Sequence, residues 1–234
     1  FCPHAVGISA NFSAYLDQAL ELAVHIKRND SRITTIVGGR AASASPELLL
    51  SYHQVDFVLR GEAELSLLGL CHGLKKGTIK KVPGLCYRMQ TGELFIAEEG
   101  ALIDDINQLP VLKRNLIDYA AYTWKGMISA SLLTSRGCGL RCSFCAIREP
   151  FRYLKAKKAM AEIEACFRLG IRHFNFEDDN INLNPEFEKI VDAMAERFIG
   201  KIKISFMNGL LSMGLRPSLR HKLVRLGLTH LDLS

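Results

Sequence analysis

Nowhere in these 234 residues does an apolar stretch approach the ~18 residues that a membrane-crossing helix needs. No signal-peptide pattern opens the chain either. It begins with Phe1 and ends at Ser234 inside a strand-like segment, which reads as a piece of something longer at both ends. Long runs of one charge are also missing. The 30 Lys and Arg against 24 Asp and Glu leave +6, and the lysines come in small groups (Lys75, Lys76, Lys80 and Lys81; Lys155, Lys157 and Lys158). That scatter argues for solvated faces and against a nucleic-acid surface, and it suits an anionic small molecule or an acidic protein partner. There is no low-complexity segment and no fixed-period repeat. An even disulfide framework is lacking too: the seven cysteines are an odd number in a chain of ordinary α/β patterning. A secreted, disulfide-stapled domain is therefore not expected, and the chain reads as cytoplasmic.

What is present is strand and helix in alternation. "AVGIS" (5–9), "ITTIV" (33–37) and "VDFVL" (55–59) read as buried strands. Between them lies a helix with Leu16, Ala19, Leu20, Ala23 and Ile26 on one face, then a short helix opened by Pro46. A further helix over 64–74 leads to a hairpin formed by "GLCYRM" and "ELFIA". Residues 103–126 have mixed charge and no sustained period, and are expected to be a linker whose Trp124 anchors by packing. From Met127 the alternation restarts. Four strands ("MISASLLTS", "RHFNFED", "IKISFMNG", "LTHLDLS") with three helices between them predict a βα-barrel cut short. The expected domains are thus 1–102, a linker over 103–126, and 127–234. Cys2, Cys71, Cys86 and Cys166 stand alone and are expected to be small buried hydrophobes.

The other three cysteines crowd into "GCGLRCSFC", spaced C-x3-C-x2-C. Three thiolates so close can close on one metal centre. Structural zinc takes four ligands; Cys166 or His173 could in principle supply the fourth, but both lie within or beyond the following helix pattern. Ordinary four-iron clusters also take four cysteines, so three leave one iron with an open position for a substrate or cofactor. The loop follows the first strand of the second domain, where βα units carry their chemistry.

"SRGCGLRCSFCAI" resembles the signature of the radical S-adenosylmethionine (SAM) enzymes. The resemblance implies that Cys138, Cys142 and Cys145 each ligate an iron of a [4Fe–4S] cluster, that the fourth iron takes SAM, and that Phe144 lies near the adenine. "NFEDDN" is similar to the family's second-strand segment, which makes Glu177 and Asp178 candidates to receive the SAM ammonium. A turn or capping role is the alternative for both. Asn208 in "FMNG" is either a pocket residue or a turn former, and Ser234 ends the fourth strand as a further cavity candidate.

In the first domain "GISANF", "VGGRAASASPELL" and "VDFVLRGEAE" resemble the later part of the cobalamin-binding domain that precedes some radical SAM cores. That resemblance puts Ser9, Gly38 and Gly39 along the nucleotide-loop channel and corrin edge. The Gly-Gly after a strand also lets backbone approach a ligand closely. The expected fold is α/β: a partial doubly wound, flavodoxin- or Rossmann-like cobalamin-binding domain, then a partial (β/α) radical SAM barrel. The expected function is that of a cobalamin-dependent radical SAM enzyme. It would cleave SAM reductively to drive methylation or rearrangement of an unactivated carbon in a small molecule, with flavodoxin or ferredoxin as electron donor. The alternatives are a radical SAM enzyme without cobalamin, modifying RNA as methylthiotransferases do, and a non-catalytic iron–sulfur redox module.

Overall fold

Parallel strands covered by helices occur twice in the computed structural model, which divides after Ile103 into Phe1–Ile103 and Asp104–Ser234. The structure describes residues 2–79, 82–145 and 147–233.

The first unit runs β1 (Ala5–Ser9), α1 (Leu16–Asn29), β2 (Thr34–Gly38), α2 (Arg40–Ala44), α3 (Pro46–Ser51), β3 (Phe57–Leu59), α4 (Ala63–Lys76), β4 (Leu85–Arg88) and β5 (Leu94–Phe95). The sheet order is β1-β2-β3-β4-β5, with the first three strands parallel and the last two antiparallel. Side chains alternate across a strand, so each strand serves both faces. Val37 and Val58 join Leu16, Ala19, Leu20, Leu49 and Leu50 in one core, while Ile36 and Leu59 join Leu70 and Leu85 in the other. Helices therefore cover both faces, as near-continuous apolar strands require. Cys86 is buried as expected, whereas Cys2 and Cys71 are exposed. Cys71 lies on α4, which buries only Ser66, Leu70 and Gly73 and leaves its other faces to solvent.

In the second unit, residues 104–122 contain three short 3-10 turns. β6 (Thr123–Trp124), β7 (Met127–Leu132), β8 (Ser135–Arg136), β9 (Arg152–Tyr153), α5 (Ala156–Arg168), β10 (His173–Phe176), α6 (Phe187–Phe198), β11 (Lys203–Leu210), α7 (Pro217–Leu226) and β12 (Leu228–Leu233) follow. The four parallel strands stand in chain order, β12-β11-β10-β7, with β6 antiparallel at the edge of β7. Chain order without reversal curls the sheet into a half-barrel. Part of the expected linker is thus an edge strand and turns of this unit.

The two faces of this curled sheet differ in chemistry. Phe174, Phe176, Ile204 and Phe206 are buried, and Phe176 stacks on Phe206 with ring centroids 5.1 Å apart. Phe187 of α6 meets Phe206 edge-on at 5.9 Å. Each such fully buried side chain contributes about 1.5–3 kcal/mol, so the helix-covered face holds the fold together. The residues alternating with them are Ser129, Ser131, His173, Asn175 and Ser205, which give the opposite face a polar lining. No helix among the described residues is long and apolar enough to cross a membrane.

Candidate functional site

β7 stops at Leu132, and the chain turns at Thr134 into the two-stranded ladder of β8 and β9, which pairs Ser135 with Tyr153 and Arg136 with Arg152. This ladder closes the loop that carries the three cysteines. At its neck Gly137 has φ +72°, and a Cβ there would lie 2.4 Å from the Pro150 carbonyl oxygen and 2.6 Å from that of Glu149. Only glycine lets the two ends of the loop cross so closely.

Asp178, from the end of β10, ties the loop to the barrel. Its carboxylate accepts from the Thr134 amide at 2.9 and 3.1 Å, from Thr134 Oγ1 at 2.9 Å and from Ser135 Oγ. The side chain is 2% exposed, and burial pushes its pKa up to about 6 against the pull of those donors. Asp178, expected as a candidate to receive a ligand's ammonium, is thus buried under the loop with its carboxylate facing Thr134 and Ser135. Glu177 is placed differently. Its Oε1 accepts from Ser131 Oγ at 3.2 Å and from Asn175 Nδ2, while Oε2 takes no hydrogen bond among the described residues.

A polar chain leads to Glu177 along the lining. Ser205 Oγ donates to Asn175 Oδ1 at 2.7 Å, so it accepts from His173 Nε2 at 3.2 Å, and Ser129 Oγ donates to His173 Nδ1 at 2.8 Å. The imidazole is thereby fixed as the neutral Nε2–H tautomer. Burial lowers its pKa, and Trp124 stacks on it at 4.2 Å. With both nitrogens engaged, His173 is not a metal ligand of the loop. Cys166 lies on α5, 0% exposed, with its thiol pKa raised by burial to about 11. The fourth ligand of a zinc site is thus lacking from either source.

Cys138 and Cys145 are half-buried, and Cys142 is exposed. The Cys145 amide donates to the Cys142 carbonyl at 3.2 Å, closing a turn. Two sulfurs have N–H donors: the Ile147 amide lies 3.4 Å from Cys145 Sγ, and Asn180 Nδ2 lies 3.7 Å from Cys138 Sγ. Among the described residues no three His, Cys, Asp or Glu side chains converge on a common metal position, the loop's own cysteines included. The fit to an iron–sulfur cluster rests on the donor set: three thiols on one anchored loop, two of them facing N–H groups as thiolates do. Phe144 is 92% exposed at the loop's tip. Asn208 Nδ2 donates to the Glu177 carbonyl at 2.7 Å, tying two strand ends together. Ser234 lies outside the described residues. The sequence reading missed Asn180, Thr134 and Ser135 as well as the lining. The alternation of polar with apolar residues in "SAS" and "HFNF" was the one signal for the lining.

In the first unit, Ser9, Gly38 and Leu59 stand side by side at the carboxyl ends of β1, β2 and β3. Ser9 is exposed, and Asn11 Nδ2 donates to its Oγ at 3.4 Å. The two glycines part company here. A Cβ on Gly38 would meet only the Leu59 carbonyl oxygen at 3.7 Å, an ordinary contact. A Cβ on Gly39, at φ +108°, would lie 2.6 Å from the Ala10 carbonyl oxygen and 2.8 Å from Asn11 Oδ1. That Ala10 carbonyl accepts from the Ala41 and Ala42 amides at the start of α2, at 3.1 and 3.3 Å. The close approach on the Cβ side of Gly39 is therefore made by the chain's own backbone. Gly39→Ala is expected to lower stability by about 2 kcal/mol, from positive-φ strain plus the displaced Ala10 loop. Urea denaturation checks this, and an unchanged midpoint would rule the contact out.

Residues 1–70 match the B12 binding domain, and residues 132–234 match the radical SAM superfamily. An uncharacterized methyltransferase of Pyrococcus horikoshii is 30% identical over 193 residues, covering 80% of this chain and 42% of the relative. The hopanoid C-3 methylase of Methylococcus capsulatus is 30% identical over 179 residues, covering 72% of this chain and 33% of the relative. The chain thus spans less than half the length of either. The radical SAM methyltransferase TsrM of Kitasatospora setae, solved with tryptophan and a SAM analog, superposes with a TM-score of 0.79 at 18% identity. That match covers 100% of this chain and 48% of TsrM, and at this identity the likeness is one of fold.

Proposed function

Because the chain belongs to the radical SAM enzymes that carry a B12-binding domain ahead of the radical SAM core, we propose that it is part of a cobalamin-dependent methyltransferase acting on a small organic molecule. The carrying observation is the anchored loop with three thiols at the carboxyl end of the first barrel strand, two of them facing N–H donors. When bound, a [4Fe–4S] cluster supplies the electron for reductive cleavage of SAM, and cobalamin supplies a carrier for the methyl group.

The chain's own residues hold, orient and shield. Cys138, Cys142 and Cys145 hold the cluster as thiolates. Asp178 fixes the loop's entry through Thr134 and Ser135, so that the sulfurs start from a restrained backbone. Glu177 presents the oxygen that takes no hydrogen bond among the described residues to the SAM ammonium, oriented by Ser131 and Asn175. Phe144, at the exposed tip, offers a ring to the adenine, and Asn208 keeps the Glu177 backbone in place. Ser9 and Gly38 form the cobalamin edge, where the missing side chain at Gly38 leaves room for the corrin. The net charge of +6 suits an acidic one-electron carrier such as flavodoxin or ferredoxin, in a cytoplasm that keeps the thiols reduced.

Anaerobic reconstitution of the full-length protein with iron and sulfide tests the reading. About four irons per chain and a paramagnetic signal that changes on adding SAM are expected; about two irons, or zinc in their place, would reject it. Cobalamin is tested separately. Gly38→Ala is expected to leave the unfolding midpoint unchanged, because its new methyl group meets nothing closer than 3.7 Å. The same substitution should weaken cobalamin binding by about tenfold, roughly 1.4 kcal/mol, as read from visible absorbance. Unaltered affinity would remove Gly38 from the cobalamin edge.

A further inference from the structure

Asn180 follows Asp179 in the turn after β10 and is 8% exposed. Among the described residues it brings the one side-chain donor that reaches a loop cysteine, its Nδ2 lying 3.7 Å from Cys138 Sγ. The other half of the same amide, Oδ1, is buried and has no hydrogen-bond partner among the described residues. A half-satisfied buried amide is unfavourable, and an apolar side chain of similar volume would avoid that penalty. What the amide provides in return is the donor facing sulfur. Turning it over would set Oδ1 against Sγ, which a thiol proton tolerates but a thiolate, with no proton to give, repels. The arrangement with Nδ2 toward sulfur and Oδ1 stranded is the one that suits a metal-bound thiolate.

We propose that Asn180 is a positioning residue for Cys138, donating an Nδ2–H···Sγ hydrogen bond that makes the bound cluster easier to reduce. The inference rests on the reading of Cys138 as a cluster ligand. Reduction adds negative charge that spreads onto the cluster's sulfurs, and an N–H dipole aimed at one of them stabilises the reduced state more than the oxidised one. The Ile147 amide does the same at Cys145, but a backbone donor is not removed by exchanging a side chain. Asn180 is the donor that substitution can reach.

The test uses the reconstituted full-length protein as wild type, Asn180→Ala and Asn180→Asp, with iron counted and the cluster titrated with dithionite under paramagnetic detection. Iron content is expected to stay at the wild-type level. The one-electron reduction equilibrium is expected to fall about tenfold in Asn180→Ala, a shift of about 59 mV to more negative potential. Asn180→Asp, with a carboxylate where the donor stood, is expected to shift further in the same direction. A wild-type potential in an iron-replete variant overturns the inference, since a purely structural residue would leave the potential unmoved. Should Asn180→Ala not fold, the isosteric Asn180→Asp carries the titration. In addition, wild-type protein labelled with nitrogen-15 at asparagine should show a nitrogen coupling to the reduced cluster by pulsed paramagnetic resonance; its absence also overturns the inference. A wild-type protein that takes up no cluster would bring down the reading of the loop itself, an outcome distinct from an unshifted potential in a loaded protein.

Discussion

Alanine at Cys138, Cys142 or Cys145 is expected to abolish SAM cleavage, each substitution by itself lowering it to background. A cluster held by three thiolates has no spare protein ligand, because the fourth iron's open position is what admits SAM. Losing one thiolate leaves two, and the loop offers no replacement. His173 is engaged by Ser129 and Ser205, and Cys166 is buried on α5 with its thiol raised to about 11. The control is Cys166→Ala together with Cys86→Ala. Both thiols are 0% exposed, so these variants should lose about 1–2 kcal/mol of stability and keep full iron and full cleavage. The measurement is 5′-deoxyadenosine released from SAM under dithionite, alongside iron content. Wild-type release by any one of the three loop variants would exclude that cysteine as a ligand.

The second large effect belongs to Asp178. Asp178→Ala strands the Thr134 amide, Thr134 Oγ1 and Ser135 Oγ without their acceptor in a buried place. Unpaired buried donors cost about 1–3 kcal/mol each, so this variant should lose several kcal/mol and its hold on the loop's entry. The pH dependence separates charge from hydrogen bonding. Asp178 has its pKa raised from 3.8 to about 6, so the folded protein retains its proton more readily than the unfolded chain. Its ionisation therefore works against folding. The penalty is absent well below the unfolded value, grows as pH rises toward 6, and is fully present above it. From about pH 5 to about pH 7.5 this amounts to roughly 1.4 kcal/mol. Asp178→Asn keeps one acceptor and carries no charge. Its deficit relative to wild type, read by urea denaturation of the reduced apoprotein, should be larger at the lower pH and shrink by that amount at the higher. A deficit that grows with pH would mean that the carboxylate is ionised and favoured in place, contrary to the burial argument.

The two carboxylates also mark how far the sequence could be read. Glu177 and Asp178 are adjacent in "NFEDDN" and chemically alike, and a strand's alternation sends neighbours to opposite sides. One reaches the polar lining beside Ser131, and the other turns under the cysteine loop to Thr134. Nothing local says which goes where, since register and the end of β10 decide it. Gly38 and Gly39 form a similar pair. Only the path of Ala10 and Asn11 over the start of α2 shows that Gly39 accommodates the chain itself, while Gly38 leaves space. Strand positions, by contrast, were legible. "AVGIS" coincides with β1, and "MISASLLTS", "RHFNFED", "IKISFMNG" and "LTHLDLS" each contain one parallel barrel strand, because apolar runs of that length between helical stripes have few other ways to be buried.

The sequence by itself determined the alternation that builds two α/β units and the C-x3-C-x2-C spacing that gathers three thiols on one loop. Both depend on residues within a helix turn, a strand or a short loop of one another. Only the tertiary structure decided what surrounds those thiols. The clasp from Asp178 to Thr134 spans 44 residues and the contact from Asn180 to Cys138 spans 42. Contacts of that separation form when parallel strands fall into register, and no local pattern encodes them.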